Sequence, residues 1–324
     1  MNFPKADTPE TTTPITCSAP GSLMVSGEHA VLHNRHALVG AVDRRVYVTL
    51  KPRADNLIHI QSALGMRSMP LTQIDISRPF HFIGAALKKY ASDFGHGFDL
   101  IIKADFPADV GLGSSAAISV ATLAVLKTAL QGKFPDKGAL LQEGVELIRN
   151  VQGRGSGADV AASIYGGVLL YKQTPQVVRR YTHLPRITLV YAGYKTPTPQ
   201  VIEIVEKNRQ KSPDGFKAVY DRIELFTLAA DKALSEGDWR ALGNALNRGQ
   251  LMMEMLGVCD EPLAEIVATM SGLPQIWGVK ISGSGLGDCV LGIGHSADLK
   301  SRNKVINAQF SSQGIKLEMP ENMN

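Results

Sequence analysis

FDLIIKADFPADVGLGSSAA, residues 98–117, decides how this chain folds. Phe98–Ala104 has the apolar character of a strand, which runs through Phe106-Pro107 into the turn Gly111-Leu112-Gly113-Ser114-Ser115. Ser114–Leu130 then reads as a helix, with Ala117, Val120, Ala121, Ala124, Val125 and Leu126 as a broad apolar face. Glycine lets a backbone approach an anion, hydroxyls add neutral donors, and a helix starting just after the turn aims free N–H groups at a phosphate. Ser114 or Ser115 as a simple N-cap is the bland alternative, and capping is compatible with phosphate binding. The same residues satisfy the dinucleotide pattern G-x-G-x-x-A, but no acid follows at the end of a second strand; that stretch is the loop Gln131–Asp136. G-x-x-x-x-G-K-[ST] and the hydrolase elbow G-x-S-x-G are both absent.

Outward from this turn lie three more glycine-rich, hydroxyl-bearing segments in fixed order. They are PGSLMVSGEHAVLH (20–33), QGRGSGADVAASIYGG (152–167) and KISGSGLGDC (280–289). One such loop is weak evidence; the ordered set points to a nucleotide site. Asp159, after Gly155-Ser156-Gly157, is either a helix cap or a carboxylate that a substrate can approach closely. Phosphoryl transfer to an alcohol needs such a group to orient or deprotonate the hydroxyl, and Mg²⁺ to neutralise phosphate charge. Glu28-His29 is a charged pair in an apolar segment, read as a buried structural pair or as a substrate contact. No His/Cys/Asp/Glu cluster has transition-metal spacing.

At 324 residues the chain is long for one core, so two domains are expected. Hydrophobic content of 44% and charged content of 20% are those of a globular protein. The net charge of +4 is dispersed, which argues against nucleic-acid binding and suits an anionic small molecule. Cys17, Cys259 and Cys289 form neither a disulfide framework nor a zinc site, favouring a reducing compartment. The N-terminal MNFPKADTPETTTPIT is polar, without an apolar signal region, and is expected to fray. The run Ala116–Leu126 is too short to span a bilayer, so no membrane partner and a cytoplasmic location are expected. Strands are expected at Cys17–Val25, His36–Leu50, Gly166–Tyr171, Val177–Tyr181 and Ile187–Tyr191, with a helix at Leu140–Asn150. From Thr198 onward helices dominate, followed by strands at Gly278–Ser282 and Cys289–Gly294 and a closing helix and strand.

These segments resemble the motifs of the GHMP kinases, a similarity that spans roughly residues 17–295. Gly27-Glu28-His29-Ala30-Val31-Leu32-His33 is similar to the first motif of its mevalonate kinases, with Asn34 in place of a glycine. Gly111–Ala117 matches the second motif, and Gly283–Cys289 resembles the third, with Leu286 and Asp288 as departures. Lys195-Thr196-Pro197-Thr198 resembles a substrate-side stretch, and Asn247–Val258 a helix ending in LGV. Gln152–Tyr165 instead resembles the phosphomevalonate kinases, and so does the ending Asp288-Cys289. The resemblance implies a two-domain α+β fold: residues 1–185 like the second domain of ribosomal protein S5, residues 186–324 ferredoxin-like, with the active site between them.

It also implies roles. Asp159 would be the catalytic carboxylate, and Pro107, Gly111, Leu112, Gly113, Ser114, Ser115 and Ala116 would hold ATP. Glu28, His29, Lys195, Thr198, Gly283, Ser284 and Gly285 would face the substrate, and Ser115 and Glu146 would hold Mg²⁺. The expected activity is ATP-dependent phosphorylation of mevalonate, with phosphomevalonate, or a non-catalytic nucleotide-binding role, as alternatives; a homodimer stays open. Ser22 stands where the motif usually has a lysine beside the catalytic Asp, and Lys195 or Arg154 could substitute. Lys195, Arg154 and Arg248 are the cations available for a second phosphate.

Overall fold

The computed structural model describes residues 13–174 and 177–319, the side chain of Val177 excepted; the segment expected to fray lies, up to residue 12, outside them. In chain order the first half runs β1 (Ile15–Ser26), β2 (Ala37–Pro52), β3 (Leu57–Ser62), β4 (Gly65–Pro70), α1 (His81–Tyr90), β5 (Phe98–Ala104), α2 (Ser114–Gln131), α3 (Lys137–Gln152), α4 (Ala158–Tyr165), β6 (Val168–Lys172) and β7 (Val177–Tyr181). The second half runs β8 (Ile187–Lys195), α5 (Thr198–Lys211), α6 (Pro213–Glu236), α7 (Trp239–Met255), α8 (Glu261–Ser271), β9 (Ile276–Ser282), β10 (Gly287–Gly294), β11 (Lys304–Ile306) and β12 (Lys316–Glu318).

Two sheets organise these elements. The first has the order β12-β1-β2-β5-β3-β4, with β6 on the other half of β2 and β7 beyond it. The 16 residues of β2 let it serve two neighbours on one edge: Val46–Pro52 pairs with β5, and Ala37–Gly40 pairs with β6. The second sheet, β11-β8-β10-β9, is antiparallel throughout. Helices α2 and α4 pack on β1 and β2, whereas α7 and α8 cover β9 and β10. The apolar core under α2 continues into β8, β10, α6 and α7, so the two halves share buried side chains.

Helix α2 is long and apolar enough to cross a bilayer by composition, yet two thirds of it (67%) is buried in the protein, as the central core helix. The expected boundary at residues 185/186 falls in the turn between β7 and β8. The chain then crosses back: β12 pairs with β1, and Phe310 bridges to Val42. Among the described residues the closing helix expected after Gly294 is not there; side-chain-to-backbone turns at Ser296–Asp298 and Ser301–Asn303 lead into β11 instead. Serine side chains that bond the backbone two residues on offer it an alternative to helix. The β3–β4 hairpin and α1 were not expected.

Candidate active site

The site begins at an irregularity in β1. Register slips between Pro20 and Ser22, where proline offers no N–H to the ladder. The freed Ser22 N–H donates to Leu112 O at 3.0 Å, which docks the phosphate-type loop onto β1. A side chain at Gly21 would lie 2.5 Å from that same carbonyl, so the close approach requires glycine there. Ser22 Oγ donates to Asp159 Oδ1 at 2.8 Å.

Helix α2 starts at this loop with Gly113 as N-cap, in the left-handed region (φ 61), and with no side-chain cap. The capping reading of the serines therefore fails: Ser114 Oγ turns back to Ala108 O at 2.8 Å, and Ser115 opens on the cavities described below. Uncapped N–H groups at the start of a long helix form an anion site. Asp159 is likewise not a cap. It sits in the first turn of α4, whose N-cap is Gly157 (φ 90), and its carboxylate points to Ser22 rather than to its own helix. Burial raises the Asp159 pKa, while the Ser22 hydrogen bond and the Lys195 charge pull it back.

Two adjoining cavities meet here. The first, about 180 Å³, is lined by Ser22, Glu28, His29, Asp159, Gly283 and Ser284 among others. The second, about 1230 Å³, lies toward α1 and α3 and reaches Glu146, Lys88 and Lys89. Ser114, Ser115, Lys195 and Thr198 border both. A metabolite-sized cavity joined to a nucleotide-sized one across a helix N-terminus is the geometry phosphoryl transfer needs.

The opposite wall comes from the second sheet. His29 Nε2 meets the carbonyl of Ser284 at 2.8 Å; a carbonyl only accepts, so Nε2 carries the proton. Burial pushes the His29 pKa down to about 4, so the ring is neutral at physiological pH. Glu28 is buried and paired with the equally buried Lys280, which also donates to Ile281 O. Ser284 Oγ is buried without a hydrogen-bond partner, and a substrate oxygen would satisfy it. Lys195 Nζ is 3.0 Å from Asp288 Oδ1, off the hydrogen-bonding direction, so that oxygen has a charge partner but no aligned donor.

Several expected site residues lie elsewhere. Leu112 buries its side chain in the core and engages its carbonyl with Ser22. Pro107 is exposed and lines neither cavity, and Gly285 packs on Val258, whose carbonyl would be 2.5 Å from a Cβ there. Glu146 borders the second cavity but not the one that holds Asp159, and pairs with Lys89 at 3.8 Å. The face of α3 toward Asp159 carries Ile148 and Gln152 instead. Arg248 lies over the Phe226 ring at 5.9 Å, outside both cavities. Among the described residues no cluster of three His, Cys, Asp or Glu side chains is placed to hold a metal. Sequence reading missed Lys280 as the partner of Glu28; the signal was a lone lysine in the apolar strand Ile276–Ser282.

Residues 81–167 match the family profile described as GHMP kinases N terminal domain, and residues 230–311 the one described as GHMP kinases C terminal, together more than half of the chain. The chain is 29% identical over 277 residues to a mevalonate kinase of Archaeoglobus fulgidus, covering 85% of this chain and 91% of that one. It is 28% identical over 320 residues to the mevalonate kinase of Aeropyrum pernix, covering 93% and 97%. The crystal structure of the Methanococcus jannaschii mevalonate kinase superposes with a TM-score of 0.78 at 21% identity, over 93% of this chain and 99% of that one. With the two-sheet fold, the uncapped loop at α2 and both family profiles in order along it, the chain belongs to the GHMP kinases, which are ATP-dependent small-molecule kinases.

Proposed function

We propose that this protein transfers the γ-phosphoryl group of ATP to the 5-hydroxyl of mevalonate, releasing ADP, in the cytoplasmic biosynthesis of isoprenoids. The observation that carries the reading is Asp159 in the smaller cavity, beside the uncapped start of α2. Asp159 accepts the hydroxyl proton as the oxygen attacks the phosphorus. The loop Gly111–Ala116 and the α2 N-terminus hold the phosphate oxygens, and Thr198, His29 and Ser284 orient the alcohol. A hydroxyl and a carboxylate suit Mg²⁺, so Ser115 and Glu146 are the groups that would hold it; when bound it neutralises charge on the phosphates.

The cation inventory favours mevalonate over its phosphate ester. A phosphorylated substrate brings up to about two further negative charges at neutral pH. His29 is neutral and Lys195 is already paired with Asp288, which leaves the exposed Arg154 among the cations lining the smaller cavity. A single exposed arginine is one cation against the about two charges that a second phosphate brings. The test is kcat/KM for mevalonate and phosphomevalonate, side by side at pH 7.5 with saturating Mg·ATP. Mevalonate should be preferred by roughly tenfold or more, about 1.4 kcal/mol. The reverse preference would make Gln152–Tyr165 the truer guide, and no turnover of either would favour a non-catalytic nucleotide-binding protein.

A further inference from the structure

Asp288 occupies a position that is hard to justify on local grounds. Its backbone is left-handed (φ 65), and its side chain is 6% exposed. Its carboxylate lies between two loops: a Cβ at Gly111 would be 2.9 Å from Oδ1, and one at Gly283 would be 3.2 Å from Oδ2. A non-glycine residue with positive φ and a buried anion beside a phosphate loop are both unfavourable unless something compensates. Lys195, at the end of β8, is that compensation, at 3.0 Å.

Asp159 has the complementary need. Among the described residues its carboxylate accepts a side-chain hydrogen bond from the neutral Ser22 hydroxyl alone, and it must be ionised to accept a proton. The groups around it are few. Glu28 is paired with Lys280, His29 is neutral, Asp288 is a like charge, and Arg154, which lines the same cavity, is exposed and does not act on Asp159 as Lys195 does. Lys195 is the cation whose charge reaches Asp159, and it borders both cavities.

We propose that Lys195, tethered by Asp288, is the positioning residue that supplies the positive charge beside Asp159 which Ser22 does not. The cation beside Asp159 then comes from β8 rather than from β1, and an anion on β10 holds it. This rests on Asp159 being the proton acceptor of the proposed reaction.

The test is the pH dependence of kcat. Lys195→Met keeps bulk and removes charge. It should move the acid limb upward by about one pH unit, and so lower kcat on that limb by roughly tenfold, because losing a nearby opposite charge raises a carboxylate pKa. Lys195→Arg should keep the limb at its wild-type position. Adding Ser22→Lys to Lys195→Met should return the limb to its wild-type position and with it the kcat lost there. Circular dichroism and ATP binding check that each variant is folded. A Lys195→Met profile that superimposes on wild type overturns the proposal, as does a folded, ATP-binding double variant whose limb stays displaced. Should the double variant not fold, the Lys195→Arg limb decides: retained supports the charge, displaced overturns it. A cycle of Lys195→Met and Asp288→Asn should be non-additive in unfolding free energy; additivity overturns the tether. If the wild type phosphorylates a different alcohol, the same profiles are measured on it, so failure of the mevalonate reading leaves this test standing.

Discussion

His29 carries a conflict that pH exposes. It sits at φ 59, with its ring buried and Nε2 fixed on the Ser284 carbonyl. Its pKa is about 4 in the folded protein, against an ordinary value of 6.5 that the unfolded chain recovers. Between those two pH values the unfolded state binds more protons, so stability is complete above pH 6.5 and falls as pH drops toward 4. The difference is worth about 3 kcal/mol. Urea unfolding at pH 7 and at pH 4.5 should show most of that loss, and His29→Asn, a polar side chain with no proton to gain in this range, should flatten it. An identical slope in the variant would place the acid sensitivity elsewhere. The residue types at this site were legible from their setting: Asp159 after its glycines, Glu28-His29 in an apolar run, the serines after the turn. Their partners were not, because Ser22–Asp159, His29–Ser284 and Lys195–Asp288 each join segments 93 or more positions apart. Such pairs are set by the packing of sheets, not by local spacing.

At the scale of elements, the irregularity in β1 and the start of α2 form one mechanical unit. A Cβ at Gly113 would stand 1.9 Å from Ser22 Oγ, and φ 61 disfavours any side chain there. Gly113→Ala should therefore do two things at once: displace Ser22 from Asp159, and close the space before the α2 N-terminus. Calorimetry should show ATP affinity lowered by roughly tenfold or more, with stability down by about 1–3 kcal/mol and a native far-ultraviolet spectrum. Retained affinity would mean that phosphate binds away from this loop. The strand, turn and helix here were readable because period and punctuation agree over residues 98–130, and β5 and α2 fall within a residue of expectation. The hairpin of β3 and β4 was not readable. Its outward side chains are mixed, and Leu57, Leu64 and Met66 are exposed, so no clean alternation marks it. Helix α1 has only 10 residues and begins without a side-chain cap, which removes the usual start signal.

For the whole molecule, the Glu28–Lys280 pair fastens the segment after β1 to β9, across 252 residues and between the two sheets. Both side chains are at most 3% exposed. Burial lowers the Lys280 pKa while Glu28 raises it, so the charge on Lys280 depends on its partner. A buried ion pair adds little over well-packed apolar side chains, but half of one leaves an uncompensated charge. Glu28→Gln should therefore destabilise the protein by about 3–5 kcal/mol. Because the apolar core runs from α2 through β8, β10 and α7, unfolding should remain a single transition, not melt one half before the other. Glu28→Leu with Lys280→Met should recover most of the lost stability, since no charge is then left buried alone. Urea denaturation followed by both fluorescence and circular dichroism measures all three. Two separated transitions in Glu28→Gln would mean that this pair, rather than the shared core, makes the halves unfold together. A double variant as unstable as the single one would mean that the pair's packing, not its charge, is what the two sheets require.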